Sequence, residues 1–267
     1  MPPPSAWLEI GRWPNAALAA AGVLVGAWWA RAPLDASVGW AALAAVAITV
    51  AANTWNDIAD VDIDRVVHPN RPLPRGTLTI RQARAVAWAA AGAAIPLSVI
   101  AHPWLGAVTA LVLVLAYAYS DHFKRAGLAG NVVVAVLASL PFLYGAWAVG
   151  QPARGALLVA IAAPLHFARE VAKDLDDAEG DASHRRTIPL AGGVPIARAV
   201  VALGSAVFLA MLAWPAASSP AFALALVPAA AFALIATGSA LRGRRGSPRL
   251  FKAAMVCAML AVIAARP

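Results

Sequence analysis

Ten of the chain's 13 acidic residues fall in two short stretches. One holds Asp57, Asp60, Asp62 and Asp64, and the other Glu170, Asp174, Asp176, Asp177, Glu179 and Asp181. Asn53, Asp57, Asp60 and Asp64 stand at i, i+4, i+7 and i+11, which a continuous helix gathers on one face. Glu170, Asp174, Asp177 and Asp181 repeat that spacing, whereas Asp62 and Asp176 fall off it. Solvated loop charge would account for one such run, but hardly for two in matched helical phase. Two acidic faces at one membrane level repel each other unless a divalent cation lies between them. Donors that are all oxygen suit Mg²⁺, which binds through a few carboxylates, retained waters and substrate phosphates. The single Cys257 and five scattered histidines offer no zinc site and no nucleophile–base arrangement.

Basic residues stand close by. Arg71 lies in the proline-stiffened run His68-Pro-Asn-Arg-Pro72, Lys124 follows Tyr119-Ser-Asp-His-Phe, and Arg169 and Lys173 flank the second acidic face. Each can be read as a membrane-orientation charge. Beside a metal-bound diphosphate, each would also neutralise the remaining phosphate charge.

The elements that must hold these residues are membrane helices. Of 267 residues 61% are hydrophobic and 13% charged, and the mean hydropathy is +0.72, far outside the soluble globular range. Nine apolar segments can be drawn, at about 15–30, 38–56, 82–101, 104–120, 128–149, 155–173, 195–214, 221–241 and 250–265. This is an all-α polytopic membrane protein in which residues 1–267 form a single membrane-embedded domain. The net charge of +8 does not point to nucleic acid, because the basic residues sit in loops and form no stripe. Sixteen of the 21 lysines and arginines lie at the N-terminus or in the loops after the second, fourth, sixth and eighth segments. The positive-inside rule then places the N-terminus and those loops in the cytoplasm, with the site at the cytoplasmic ends of the second, fourth and sixth segments of a cell-membrane protein.

Asn56-Asp57-x-x-Asp60-x-x-x-Asp64 resembles the first motif of the UbiA superfamily of intramembrane prenyltransferases, and Asp177-x-x-x-Asp181, preceded by Asp174, resembles its second. Asn70-Arg-Pro-Leu-Pro-Arg-Gly76, Asn131 and the run Arg169–Asp181 look most like the digeranylgeranylglyceryl phosphate synthase branch, which forms an ether bond of archaeal-type lipids. The resemblance implies Mg²⁺-dependent transfer of a prenyl group, geranylgeranyl in that branch, from an isoprenoid diphosphate to a lipophilic acceptor, geranylgeranylglyceryl phosphate. Asn56, Asp57, Asp60 and Asp64 would hold one metal, and Asp174, Asp177 and Asp181 the other. Arg71, Lys124, Arg169 and Lys173 would bind the diphosphate, while Asn53, Tyr119 and Asn131 would line the substrate. Three rival readings remain open: transfer to an aromatic acceptor, terpene cyclisation on the same machinery, and ion transport. Carboxylates at helix ends, away from the midplane, count against transport.

Overall fold

The computed structural model describes residues 2–121, 127–181, 187–217 and 219–265, except for the side chains of Asp121 and residues 179–181. The described residues are helical, with no strand. In chain order the helices are α1 (Pro4–Ile10), α2 (Trp13–Trp29), α3 (Ala36–Ala59), α4 (Val61–Val67), α5 (Ile80–Ala101), α6 (Pro103–Asp121), α7 (Leu128–Ala148), α8 (Pro152–Asp181), α9 (Ile188–Gly192), α10 (Val194–Ala216), α11 (Pro220–Leu241) and α12 (Ser247–Ala264). Every apolar segment of the sequence is a helix. The short α1, α4 and α9 are additions that hydropathy did not indicate. Among the described residues, eight helices are long and apolar enough to cross a membrane. The first apolar segment, α2, has 17 residues, or about 25 Å of helix, at the lower limit for a span.

The chain divides into two compact units, Met1–Lys124 with Tyr144–Pro152, and Arg125–Leu143 with Ala153–Pro267. In the first, α3 packs on α2 and α5 through small residues. Ala41, Ala44 and Ala45 meet Val23 and Ala27, and further along Ala51 and Trp55 meet Ala87, Ala91 and Ala94. Without a hydrophobic drive between helices in lipid, such close small-residue contact supplies the packing energy. Its tightest point is Gly145, where an added Cβ would lie 1.8 Å from the Val23 carbonyl oxygen. Buried hydroxyls tie three helices together: Thr109 of α6 bonds Ser98 of α5 at 2.7 Å and Tyr144 of α7 at 2.5 Å. Ser37 near the start of α3 also donates to the Ala148 carbonyl at 3.1 Å. The exposed carboxylate of Asp35 caps α3 by accepting from the Ser37 hydroxyl and amide, and these bonds hold it below the ordinary Asp range.

In the second unit α8 is the longest helix, with 30 residues or about 45 Å. That exceeds a hydrocarbon layer of about 30 Å, so an apolar stretch can span while the acidic last turns stand beyond it. Gly204 of α10 sits against α8, where a Cβ would be 3.0 Å from the Pro164 carbonyl oxygen and 3.2 Å from the Ala168 Cβ. Thr237 of α11 donates to Ser205 of α10 at 2.7 Å.

Candidate active site

The first acidic motif bridges α3 and α4. The helix does not run through it unbroken, as the spacing led us to expect, but pauses at Asp60, whose φ of −94° and ψ of 0° leave the helical region. The Asp60 amide still bonds the Asn56 carbonyl at 3.0 Å, and the Asp64 amide bonds the Asp60 carbonyl at 2.8 Å. Those bonds carry the helical phase across the break. Asp57, Asp60 and Asp64 are accordingly 3%, 5% and 3% exposed, whereas the Asp62 side chain is 81% exposed and pairs outward with Arg65 at 2.7 Å.

Buried carboxylates need counter-groups, because leaving water costs an isolated charge several kcal/mol. Two guanidinium groups serve here. Arg71 returns from the loop after α4 to place Nη1 2.5 Å from Asp64 and 3.7 Å from Asp57. Pro72 helps fold that loop back, its carbonyl accepting from the amides of Thr77 and Leu78 at 3.0 and 3.2 Å. Arg12 is the second, donating to Asp57. Sequence reasoning missed this role, treating Arg12 only as an N-terminal orientation charge. It caps α2 in the left-handed region, φ 47° and ψ 57°, a conformation that costs a non-glycine residue about 1–2 kcal/mol. The available signal was Gly11-Arg12-Trp13-Pro14, a helix stop followed by a helix start with one cation at the corner.

The whole N-terminal segment is anchored on this motif. Ala6 and Ile10 of α1 pack with Leu73, Leu78 and Ala83. Glu9 pairs with Arg75 at 2.9 Å. Asn53, expected to line the substrate, donates to the Gly11 carbonyl at 3.3 Å, and the amide nitrogen of Asn56 stands 3.5 Å from Asp60.

The second motif lies on the last turns of α8. Asp174 and Asp177 are half-buried, and the buried Asn131 of α7 donates its side-chain amide to Asp174 at 2.7 Å. Asp176 points elsewhere and accepts the Gly246 amide, at the N-terminus of α12, at 2.9 Å. Arg169 pairs with its neighbour Glu170, and Lys173 is half-buried. Tyr119 is half-buried near the end of α6. Lys124 and the side chain of Asp181 lie outside the described residues.

Among the described residues, no three Asp, Glu, His or Cys side chains converge tightly enough to hold a metal ion. The donor chemistry of each motif nevertheless fits a hard cation. The groups described are carboxylates and amides, buried in the first motif and half-buried in the second, and no thiol is among them.

Residues 19–262 match the model of the UbiA prenyltransferase family. The chain belongs to that family. One UbiA relative, a digeranylgeranylglyceryl phosphate synthase from Methanopyrus kandleri, is 35% identical over 97% of this chain and 98% of its own. The UbiA fold is seen in two solved homologues. One from Aeropyrum pernix K1 has a TM-score of 0.83 at 23% identity, covering 93% of this chain and 96% of its own. Another, from Archaeoglobus fulgidus and bound to DMAPP and Mg²⁺, has a TM-score of 0.72 at 20% identity, covering 96% of each chain. The chain is thus an integral membrane prenyltransferase.

Proposed function

We propose that this enzyme transfers a geranylgeranyl group from its diphosphate to the glycerol hydroxyl of geranylgeranylglyceryl phosphate, with Mg²⁺ as cofactor. The assignment of acceptor is carried by the full-length similarity to the Methanopyrus kandleri synthase. The reaction class is carried by the buried carboxylates of the family's first motif. Mg²⁺ is supported by the donor chemistry and by the Archaeoglobus fulgidus homologue, which is bound to DMAPP and Mg²⁺.

Asn56, Asp57, Asp60 and Asp64 would hold one Mg²⁺, and Asp174, Asp177 and Asp181 the other. Mg²⁺ held there would offset the charge that builds on the diphosphate as the allylic C–O bond breaks. Arg71, Lys124 and Lys173 bind phosphate oxygens and take up part of the same charge. Arg169, one turn before Lys173 on α8, binds there with them. Asn131 orients Asp174 through its amide, and Asn53 holds the N-terminal turn that presents Arg12 to Asp57. Tyr119 lies along the path of the prenyl chain. The electron pair of the broken bond leaves with the diphosphate. The acceptor oxygen forms the new C–O bond, and its proton passes to a diphosphate oxygen. The site opens to the cytoplasm, on the side of the 16 loop cations.

The test is incubation of purified enzyme with labelled geranylgeranyl diphosphate and a panel comprising geranylgeranylglyceryl phosphate, 4-hydroxybenzoate and no acceptor, with mass analysis of the products. The phosphorylated glyceryl ether should be alkylated, EDTA should stop the reaction and Mg²⁺ should restore it. Alkylation of the aromatic acid alone, or a cyclised product without acceptor, would overturn the acceptor assignment. Full turnover in EDTA would overturn the metal.

A further inference from the structure

From Gly155 to Ala168, α8 carries one polar side chain, His166. An ionisable group in the apolar stretch of a membrane helix is costly, and such groups face a bundle interior or a substrate path. Among the described residues, the His166 ring has no hydrogen-bond partner.

Helical phase shows where the ring points. With His166 at zero and about 100° per residue, Asp177 lies at about 20°, Glu170 at about 40° and Asp174 at about 80°. His166 is therefore on the face of the second motif. The other sides of α8 are covered by helices of the same unit. Pro164 and Ala168, at about 160° and 200°, meet Gly204 of α10. Asp176, at about −80°, accepts the Gly246 amide at the start of α12, and Asp174 accepts from Asn131 of α7. These contacts leave open the sector that holds His166. Its side chain is accordingly half-buried, unlike the buried Leu165 and Ala168 on either side.

Depth agrees with direction. His166 stands eight residues before Asp174, about 12 Å further along the axis into the apolar stretch. The hydrocarbon chain of a prenyl diphosphate held at the acids runs the same way, because its carbons leave water for lipid. The reacting carbon, and the hydroxyl that attacks it, then lie on the lipid side of the acids. There α8 supplies Glu170, already paired with Arg169, and beyond it His166.

We infer that His166 binds the glycerol hydroxyl of the acceptor lipid and aims it at the reacting carbon. The inference rests on the proposed function and names the residue that gives an alcohol precedence over water at that carbon. A neutral imidazole has one N–H, and a hydroxyl has two lone pairs and one proton. The ring N–H donates to one lone pair. The second lone pair forms the new C–O bond, and the hydroxyl proton faces the diphosphate oxygen that receives it.

The test uses full-length enzyme with isotope-labelled histidine in phosphatidylcholine nanodiscs, read by nitrogen NMR. The ring signal missing from His166→Gln identifies the residue. In wild type that signal should shift with geranylgeranylglyceryl phosphate and stay in place with its deoxy analogue, which lacks the hydroxyl. His166→Leu should raise the KM for the acceptor about three- to tenfold, the loss of one neutral hydrogen bond. The KM for geranylgeranyl diphosphate should stay within about twofold, and more of the diphosphate consumed should end as geranylgeraniol, the product of attack by water. His166→Gln keeps an N–H donor and should recover most of the acceptor affinity. The wild-type signal decides the site even if His166→Leu does not fold. A shift without ether product would be a failure of the proposed function alone. No shift with the acceptor would overturn the inference whether or not product forms. A shift with the diphosphate alone, or a fall in kcat with both KM values unchanged, would overturn it equally.

Discussion

At the scale of single residues, burial sorts the aspartates of the first motif into two kinds. Asp57 and Asp64 are enclosed and share Arg71, and Asp62, between them in sequence, faces out to Arg65. Asp57→Ala and Asp64→Ala should each lower kcat about a hundredfold or more, equivalent to several kcal/mol of transition-state stabilisation. Asp62→Ala should stay within about twofold of wild type, since an exposed ion pair contributes at most about 1 kcal/mol. Single-turnover rates measured on variants with matched Tm would check this, and equal losses at Asp57 and Asp62 would refute the sorting. This division could be read from the sequence, because carboxylates are few and their positions relative to a 3.6-residue period are a local property. The groups that answer them could not be read in the same way. Arg12 stands 45 positions before Asp57, and Asn131 stands 43 before Asp174. In the sequence Asn131 stands out only by resemblance, as a residue lining the substrate, and its bond to Asp174 is visible only in the fold. Arg12 reads there as a topology signal. Nothing in a linear pattern joins two polar groups on different helices.

At the scale of elements, the helices were legible and the contacts between them were not. Hydropathy located all nine apolar segments, because the bilayer imposes length and apolarity on each one independently. The pause at Asp60 escaped notice because its backbone bonds preserve the phase that the pattern records. The docking of α1 on Leu73 and Leu78 escaped because seven residues carry too short a periodicity. The many alanines announced close packing in general, but only the fold shows where it is closest. Gly145→Ala should therefore be severely destabilising, since its methyl carbon would meet the Val23 carbonyl of α2 and backbone cannot swing aside. Gly39→Ala, with nothing within 4 Å of the added carbon, should be neutral or should stabilise α3 by up to about 1 kcal/mol. Thermal unfolding and size-exclusion profiles of the two variants in detergent would separate them. A Gly145→Ala protein as stable as Gly39→Ala would show that α2 and α7 are less closely packed.

At the scale of the whole molecule, the consequential quantity is topology, because it decides from which compartment a charged diphosphate reaches the aspartates. A headgroup that enters from the cytoplasm never crosses the bilayer, where even one charge at the centre costs about 2.5–3.5 kcal/mol on insertion scales. In a Cys257→Ala background, a cysteine replacing the exposed Asn70 should resist impermeant thiol reagents in intact cells, and one replacing the exposed Gln151 should react. Gly76 and Gly246 are unsuitable probes, since their φ values of 74° and 93° would strain any other residue. Labelling of Asn70→Cys from outside would reverse the orientation. Chain order adds a consequence of its own. Each acidic motif follows its anchoring partner in sequence by more than 40 residues, Asp57 after Arg12 and Asp174 after Asn131. At about 5–20 residues per second, the ribosome releases the anchoring group on the order of seconds before the acid that needs it. Neither Asp57 nor Asp174 has to wait for a later part of the chain to be translated before that bond can form, and the membrane receives these two acids with those counterparts already made.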